Sequence, residues 1–141
     1  HRYRQQVQPE ASTDEPPTGE QRCPTPMSLG KELVKLCRER KYGDAIAKLY
    51  SEDVVTVEPC DECLKGIHAV QEKNDWWVEN FEIHTNEIQG PFPHHDRFAV
   101  AFRTDVTHRP SQKRIALDEI GVYTVQDGKI IRAEFFHDDG E

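Results

Sequence analysis

Glu58 stands between Val57 and Pro59 at the end of a β-branched run. Glu119 alternates with Leu117, Gly121 and Tyr123 in a second apolar run. A carboxyl group held among apolar neighbours loses the hydration that its charged form needs. Its pKa rises, and it can then take up or deliver a proton nearer neutral pH. If both residues face one interior they form an acid/base pair, and Tyr123 adds a phenol donor on the same strand face. Each acid also has a structural reading. Glu58 can cap the loop at Pro59 or pair with Lys65, and a slip of one residue would turn Asp118 inward and leave Glu119 in water. Glu134 reads as a structural partner for Arg103 or Arg132. His84 is either a third polar pocket residue or a surface histidine, and His94-His95 reads as a solvated loop.

Cys60 and Cys63 form a CxxC, a spacing that suits a redox pair or half of a metal site. Zinc would need further ligands, such as Cys23 or His94 and His95, and there is no second CxxC. The acids between the two cysteines, Asp61 and Glu62, oppose the thiolate that redox work requires. The reading adopted is therefore a loop with two reduced thiols, no metal site and no cofactor.

The chain has 141 residues, enough for one domain with a real core. Its formal net charge is −8, and no basic run, Lys113-Arg114 included, is longer than two residues, too short to grip a phosphate backbone, so a nucleic-acid partner is not expected. No run of apolar residues is long enough to span a membrane, and HRYRQQVQPE lacks the apolar region of a secretory leader. A cytoplasmic protein is expected by default.

The elements that must hold these residues follow from the pattern. Residues 1–26 are rich in proline and poor in large apolar side chains, which predicts a flexible tail ahead of a single domain over 27–141. Ser28 is the expected cap of a first helix over Leu29–Arg40, with a stripe of Leu29, Leu33, Leu36 and Cys37. Gly43 and Asp44 should stop that helix and cap a second over Ala45–Tyr50. A strand, Val54–Glu58, ends at Pro59, and CDECLKG is a loop. A third helix over Gly66–Asn80 carries Ile67, Val70, Asn74 and Trp77 on one stripe, with Trp76 and Phe81 close by. Four strands follow: Phe81–Gln89, Arg97–His108, Lys113–Val125 and Lys129–Phe136, the last two joined by a hairpin turn at Asp127-Gly128. Helices first and an antiparallel meander later predict an α+β fold with helices on one face of a curved sheet.

That order, with LYSEDVVTVEP early and YTVQDGKIIRAEFF late, resembles the nuclear transport factor 2-like superfamily, in particular its SnoaL-like and ketosteroid-isomerase-like branches. The resemblance covers roughly residues 28–138. It implies a cone-shaped, cystatin-like α+β barrel: a bent antiparallel sheet with three helices packed on its concave face around a pocket. It places the isomerase general base, a carboxylate just before a proline, at Glu58. Its second acid falls on the face of Glu119, Gly121 and Tyr123, where Glu119 is the acid. The isomerase hydroxyl donor is a tyrosine on the first helix, and Leu33–Lys35 offers none, so Tyr123 is the substitute. The implied pocket wall is Trp76 or Trp77, His84, Phe98, Val100, Phe102 and Phe136. The implied activity is cofactor-free acid/base catalysis of isomerase, cyclase or hydrolase type on a small hydrophobic ligand. The alternative is a non-catalytic ligand-binding or dimerisation module. A homodimer through the outer sheet face, around Ala99, Ala101 and Arg103, is also expected.

Overall fold

The computed structural model describes residues 24–59 and 62–137. Most of the expected tail, and Cys60 of the CxxC, lie outside the described residues. The first helix, α1, spans Pro26–Arg38. It starts earlier than expected because Pro26 has the fixed φ that suits a first helical position and Thr25, not Ser28, is the cap. The Ser28 N–H donates to Thr25 Oγ1 at 3.1 Å and the Thr25 N–H to Ser28 Oγ at 2.9 Å, a reciprocal capping box. Arg40 takes a left-handed φ of 63° and turns the chain. The second helix, α2, then runs Tyr42–Leu49, so Gly43 and Asp44 lie inside its first turn rather than before it.

Strand β1 spans Tyr50–Val57, and the expected loop after it contains a short strand, β2, Cys63–Lys65. Helix α3, Ile67–Asn80, begins at Gly66, whose φ of 91° glycine adopts without strain. Strands β3 (Phe81–His94), β4 (Arg97–His108), β5 (Lys113–Gln126) and β6 (Lys129–His137) complete the chain. Asp127 and Gly128 both have positive φ, 53° and 77°, and Gln126 pairs with Lys129, the geometry of a two-residue type I′ hairpin.

The six strands form one sheet in the order β2-β1-β6-β5-β4-β3. All neighbours are antiparallel except β1 and β6, which are parallel. The sheet is therefore mixed and unclosed, where the sequence pattern predicts antiparallel pairing throughout. A parallel neighbour needs no turn signal of its own: β1 reaches β6 only after the whole meander has been laid down. The three helices cover the concave face. The core joins Leu29, Leu33 and Leu36 of α1, Ile46 and Leu49 of α2 and Val70 of α3 to Val54, Phe98, Val100, Tyr123 and Ile130 of the sheet. At Gly30 a Cβ would lie 2.6 Å from Pro91 Cβ, so glycine is what lets α1 sit so close to β3. Among the described residues no helix is long and apolar enough to cross a membrane.

Candidate functional site

Between the helices and the concave face lies a cavity of about 250 Å³. Strand register explains its walls. Thr56 of β1, Ala133 of β6, Tyr123 of β5 and Phe98 of β4 pair in one row across the sheet. Phe135, Gly121 and Val100 make the next row, and His137, Glu119 and Phe102 the one after. Glu58 follows the last residue of β1, two positions beyond Thr56, and reaches the same cavity. The two carboxyl groups thus approach one space from different parts of the sheet, Glu58 just past the end of β1 at the level of the Gly121 row and Glu119 one row further on. A Cβ at Gly121 would meet Tyr123 Cε1 at 2.9 Å and the Tyr123 hydroxyl at 3.0 Å. The missing side chain lets the Tyr123 ring lean along β5 towards Glu119.

The electrostatics of the two acids match their surroundings. Burial pushes the Glu58 carboxyl above its ordinary value of 4.5, with Lys73 opposing and Glu62 adding to the rise. Burial also pushes Glu119 up, the nearby Glu58 charge pushes it further, and His137 opposes. No side-chain hydrogen bond among the described residues holds either carboxylate. Burial likewise holds the Tyr123 phenol well above its usual range, with smaller contributions from Tyr50, Cys37, Glu119 and Glu58. Cys37 is pushed up to about 12 and Tyr42 to about 12, both chiefly by burial. These groups are neutral proton donors, and the Cys37 thiol is not a nucleophile.

Of the residues singled out in the sequence, Glu58, Glu119, Tyr123, Trp77 and Phe102 line this cavity. Phe98 and Val100 do not: they are fully buried one layer deeper, Phe98 stacked on Tyr123 at 5.0 Å between centroids. Trp76 turns away from the cavity and is 47% exposed, because adjacent helical residues point about 100° apart. Phe136 is 56% exposed on the outer face, and its neighbour Phe135 takes the cavity position. His84 is carried off the cavity wall by a β-bulge. Pairing shifts between Ile83 and Thr85, and the ring Nε2 lies 2.7 Å from Thr107 Oγ1. The same bulge brings Ile83 and Asn86 to the cavity.

Asn86 was not legible from periodicity because the bulge resets it. Its Nδ2 donates to the Cys37 carbonyl at the end of α1 (2.9 Å), and its Oδ1, like Thr56 Oγ1, is buried without a partner among the described residues. Leu33, Tyr42, Tyr50, Lys73 and Asn74 also line the cavity, and of these Leu33 and Asn74 sat on expected helical stripes. Glu134 pairs with Arg132 at 3.0 Å. Cys63 is exposed on β2, and among the described residues no cluster of His, Cys, Asp and Glu has the makings of a metal site.

A cone of this kind, three helices over a bent six-stranded sheet with the cavity between, is the cystatin-like fold of nuclear transport factor 2-like proteins. A SnoaL-like domain model matches residues 26–137, and the chain belongs to that family. A protein from Mesorhizobium loti, provisionally described as a SnoaL-like polyketide cyclase [carbohydrate phosphatase], is 32% identical, with a TM-score of 0.72 over 77% of this chain and 95% of its own. A provisionally described SnoaL-like polyketide cyclase from Jannaschia sp. CCS1 shares the fold at 15% identity, TM-score 0.66, over 90% of this chain and 92% of its own. So does a hypothetical protein with a ketosteroid isomerase-like fold from Catenulispora acidiphila DSM 44928, in complex with trimethylamine, at 11% identity and TM-score 0.61, over 79% of this chain and 85% of its own. Comparison with curated proteins returns no match.

Proposed function

We propose that the cavity is a small-ligand site in which Glu58 and Glu119 work as a cofactor-free acid/base pair. The substrate is a small, largely hydrophobic molecule with a carbonyl or similarly acidic C–H. One carboxylate abstracts a proton and the other carboxylic acid, with the Tyr123 phenol, donates to the oxygen that gains charge. The observation that carries this reading is the convergence of two half-buried carboxyl groups, both raised above 4.5, on one largely apolar cavity. Provisional descriptions of relatives as cyclases accord with it. The test is a carbon-detected NMR titration of the glutamate side chains. At least one of the two should titrate clearly above 4.5, and ordinary midpoints for both would end the acid/base reading.

A second reading, a binding module without catalysis, is favoured by one specific residue. Leu33 occupies the cavity wall on α1, in the stretch where the isomerase-like resemblance implies a tyrosine. The two readings separate on turnover, not on binding.

We further propose a homodimer through the convex sheet face. There Ala101, Ile120 and Phe136 pair in one row, and Phe92, Ala99 and Val122 in the next. Ile120, Phe92 and Phe136 are exposed, while Arg103–Asp118 and Arg132–Glu134 flank the patch. A two-fold mate would meet apolar surface at the centre and opposite charges at the rim. A monomeric mass by light scattering at micromolar concentration would exclude it.

A further inference from the structure

The charges and ring faces around the cavity are out of balance in a way that specifies a ligand class. Two carboxyl groups reach the space, from β1 and β5, and Lys73 of α3 is the one cationic side chain on its wall among the described residues. That ammonium is drawn towards the rim, where its Nζ lies 3.6 Å from Glu62 Oε1. Six aromatic rings complete the wall: Tyr42, Tyr50, Trp77, Phe102, Tyr123 and Phe135. Aromatic faces attract cations through the ring quadrupole, most strongly where water is excluded. The chain's formal charge of −8 adds a long-range field of the same preference.

We propose that the cavity takes an organic cation, an alkylammonium group on an apolar body, seated between Glu58, Glu119 and the aromatic wall. The inference rests on reading the cavity as the ligand site and goes beyond it by giving the ligand a charge. A neutral ligand would leave the second carboxyl without a counter-charge, whereas an ammonium pairs with the carboxylates and packs its alkyl groups on the rings.

Binding is then linked to protons. In the ligand-free cavity burial favours the protonated carboxyls, and an incoming cation favours the ionised form, so it displaces a proton. Affinity for a permanent cation should rise with pH and level off once both acids are ionised. The other titratable or charged groups facing the acids are Cys37 of α1, Tyr42 of α2, Tyr50 of β1, Lys73 of α3 and Glu62 beside β2. Tyr123 of β5 and His137 of β6 complete the set. The thiol and the phenols stay protonated across the range used, because burial pushes all of them up, and the Glu119 variant below isolates the contribution of that carboxyl.

The test compares choline with 3,3-dimethylbutan-1-ol, which has the same shape with carbon in place of the charged nitrogen. Calorimetry on the full chain at pH 5 and pH 8 should show choline binding about tenfold or more tighter than the alcohol at pH 8. That advantage should shrink at pH 5 and be lost in Glu119→Gln. Equal affinities at both pH values, or no binding of either molecule, overturn the proposal. The wild-type comparison decides the matter even if the variant does not fold. Its failure is distinct from failure of the acid/base reading, which is decided by the carboxyl titrations of the ligand-free protein.

Discussion

Asp118 and Glu119 are neighbours in the chain and lie in two different chemical worlds. Asp118 projects from the convex face, where Arg103 Nη2 donates to it at 3.4 Å. Glu119 projects into the cavity with no such partner among the described residues. The same contrast holds across the sheet. Asp105 accepts two hydrogen bonds of 2.8 Å from Arg114, and that hydrogen bonding holds its carboxyl below its usual value of 3.8. Glu58 and Glu119, by contrast, are held above theirs by lost hydration. Residue type does not separate an acid paired on the surface from one turned into the cavity. The difference is whether a hydrogen-bonded counter-charge offsets the lost hydration, as at Asp105, or burial outweighs the opposing charges, as at Glu58 and Glu119.

The contrast can be tested first on turnover. Glu58→Gln or Glu119→Gln keeps shape and removes the proton site. Turnover of an identified substrate should fall by about 100-fold or more, while the fold persists at equal or slightly higher stability. If instead both variants lose about 3 kcal/mol or more, the acids are halves of buried structural pairs and the contrast is broken.

Supplying the missing counter-charge should sharpen it. Leu117 lies two residues from Glu119 on the same strand face and lines the cavity. In Leu117→Arg the guanidinium should bring the Glu119 midpoint down by about 1–3 pH units, which turns a cavity acid into one like Asp105. NMR titration would show it, and an unmoved midpoint would mean that burial alone sets the value.

A smaller effect lies in stability against pH, and its sign differs between the two faces. Glu119 titrates near 4.5 in the unfolded chain and higher in the folded one, so the folded state keeps its proton longer. Its contribution to stability is present below 4.5 and is lost as pH rises through the raised folded value. Asp105 runs the other way: its contribution is present above 3.8 and is lost as pH falls through the lowered folded value. Urea midpoints of Glu119→Gln and wild type should therefore diverge in favour of the variant as pH rises above 4.5, then run parallel. Convergence with rising pH would contradict the assignment.

The smallest effect belongs to the convex ion pair. Arg114→Ala should leave Tm nearly unchanged, and what change there is should vanish in high salt, because the pair is solvated on both sides. A large salt-independent loss would place Arg114 in an interface with a second copy.

Much of this was legible in the chain itself. Periodicity located all three helices and the four long strands, because apolar spacing of 3.6 or 2 is imposed by the same burial that forms the core. The Asp127-Gly128 turn was legible because few residue pairs tolerate two positive φ values in succession. The pair Glu58 and Glu119 was legible as candidates because acids at inward strand positions conflict with a core.

Three things were decided only in three dimensions. The parallel pairing of β1 with β6 joins segments far apart in sequence and brings Thr56 and Glu58 alongside the strand that carries Phe135. The bulge at His84 shifts the alternation by one residue, so His84, which the sequence left between pocket and surface, faces Thr107 and Asn86 takes up a cavity position, a change that no count along β3 reveals. Tertiary packing also chose Trp77 over Trp76 and Phe135 over Phe136. Period alone says that neighbours point apart, whereas which of them meets the cavity depends on the rotation of α3 and the register of β6 against the rest of the sheet.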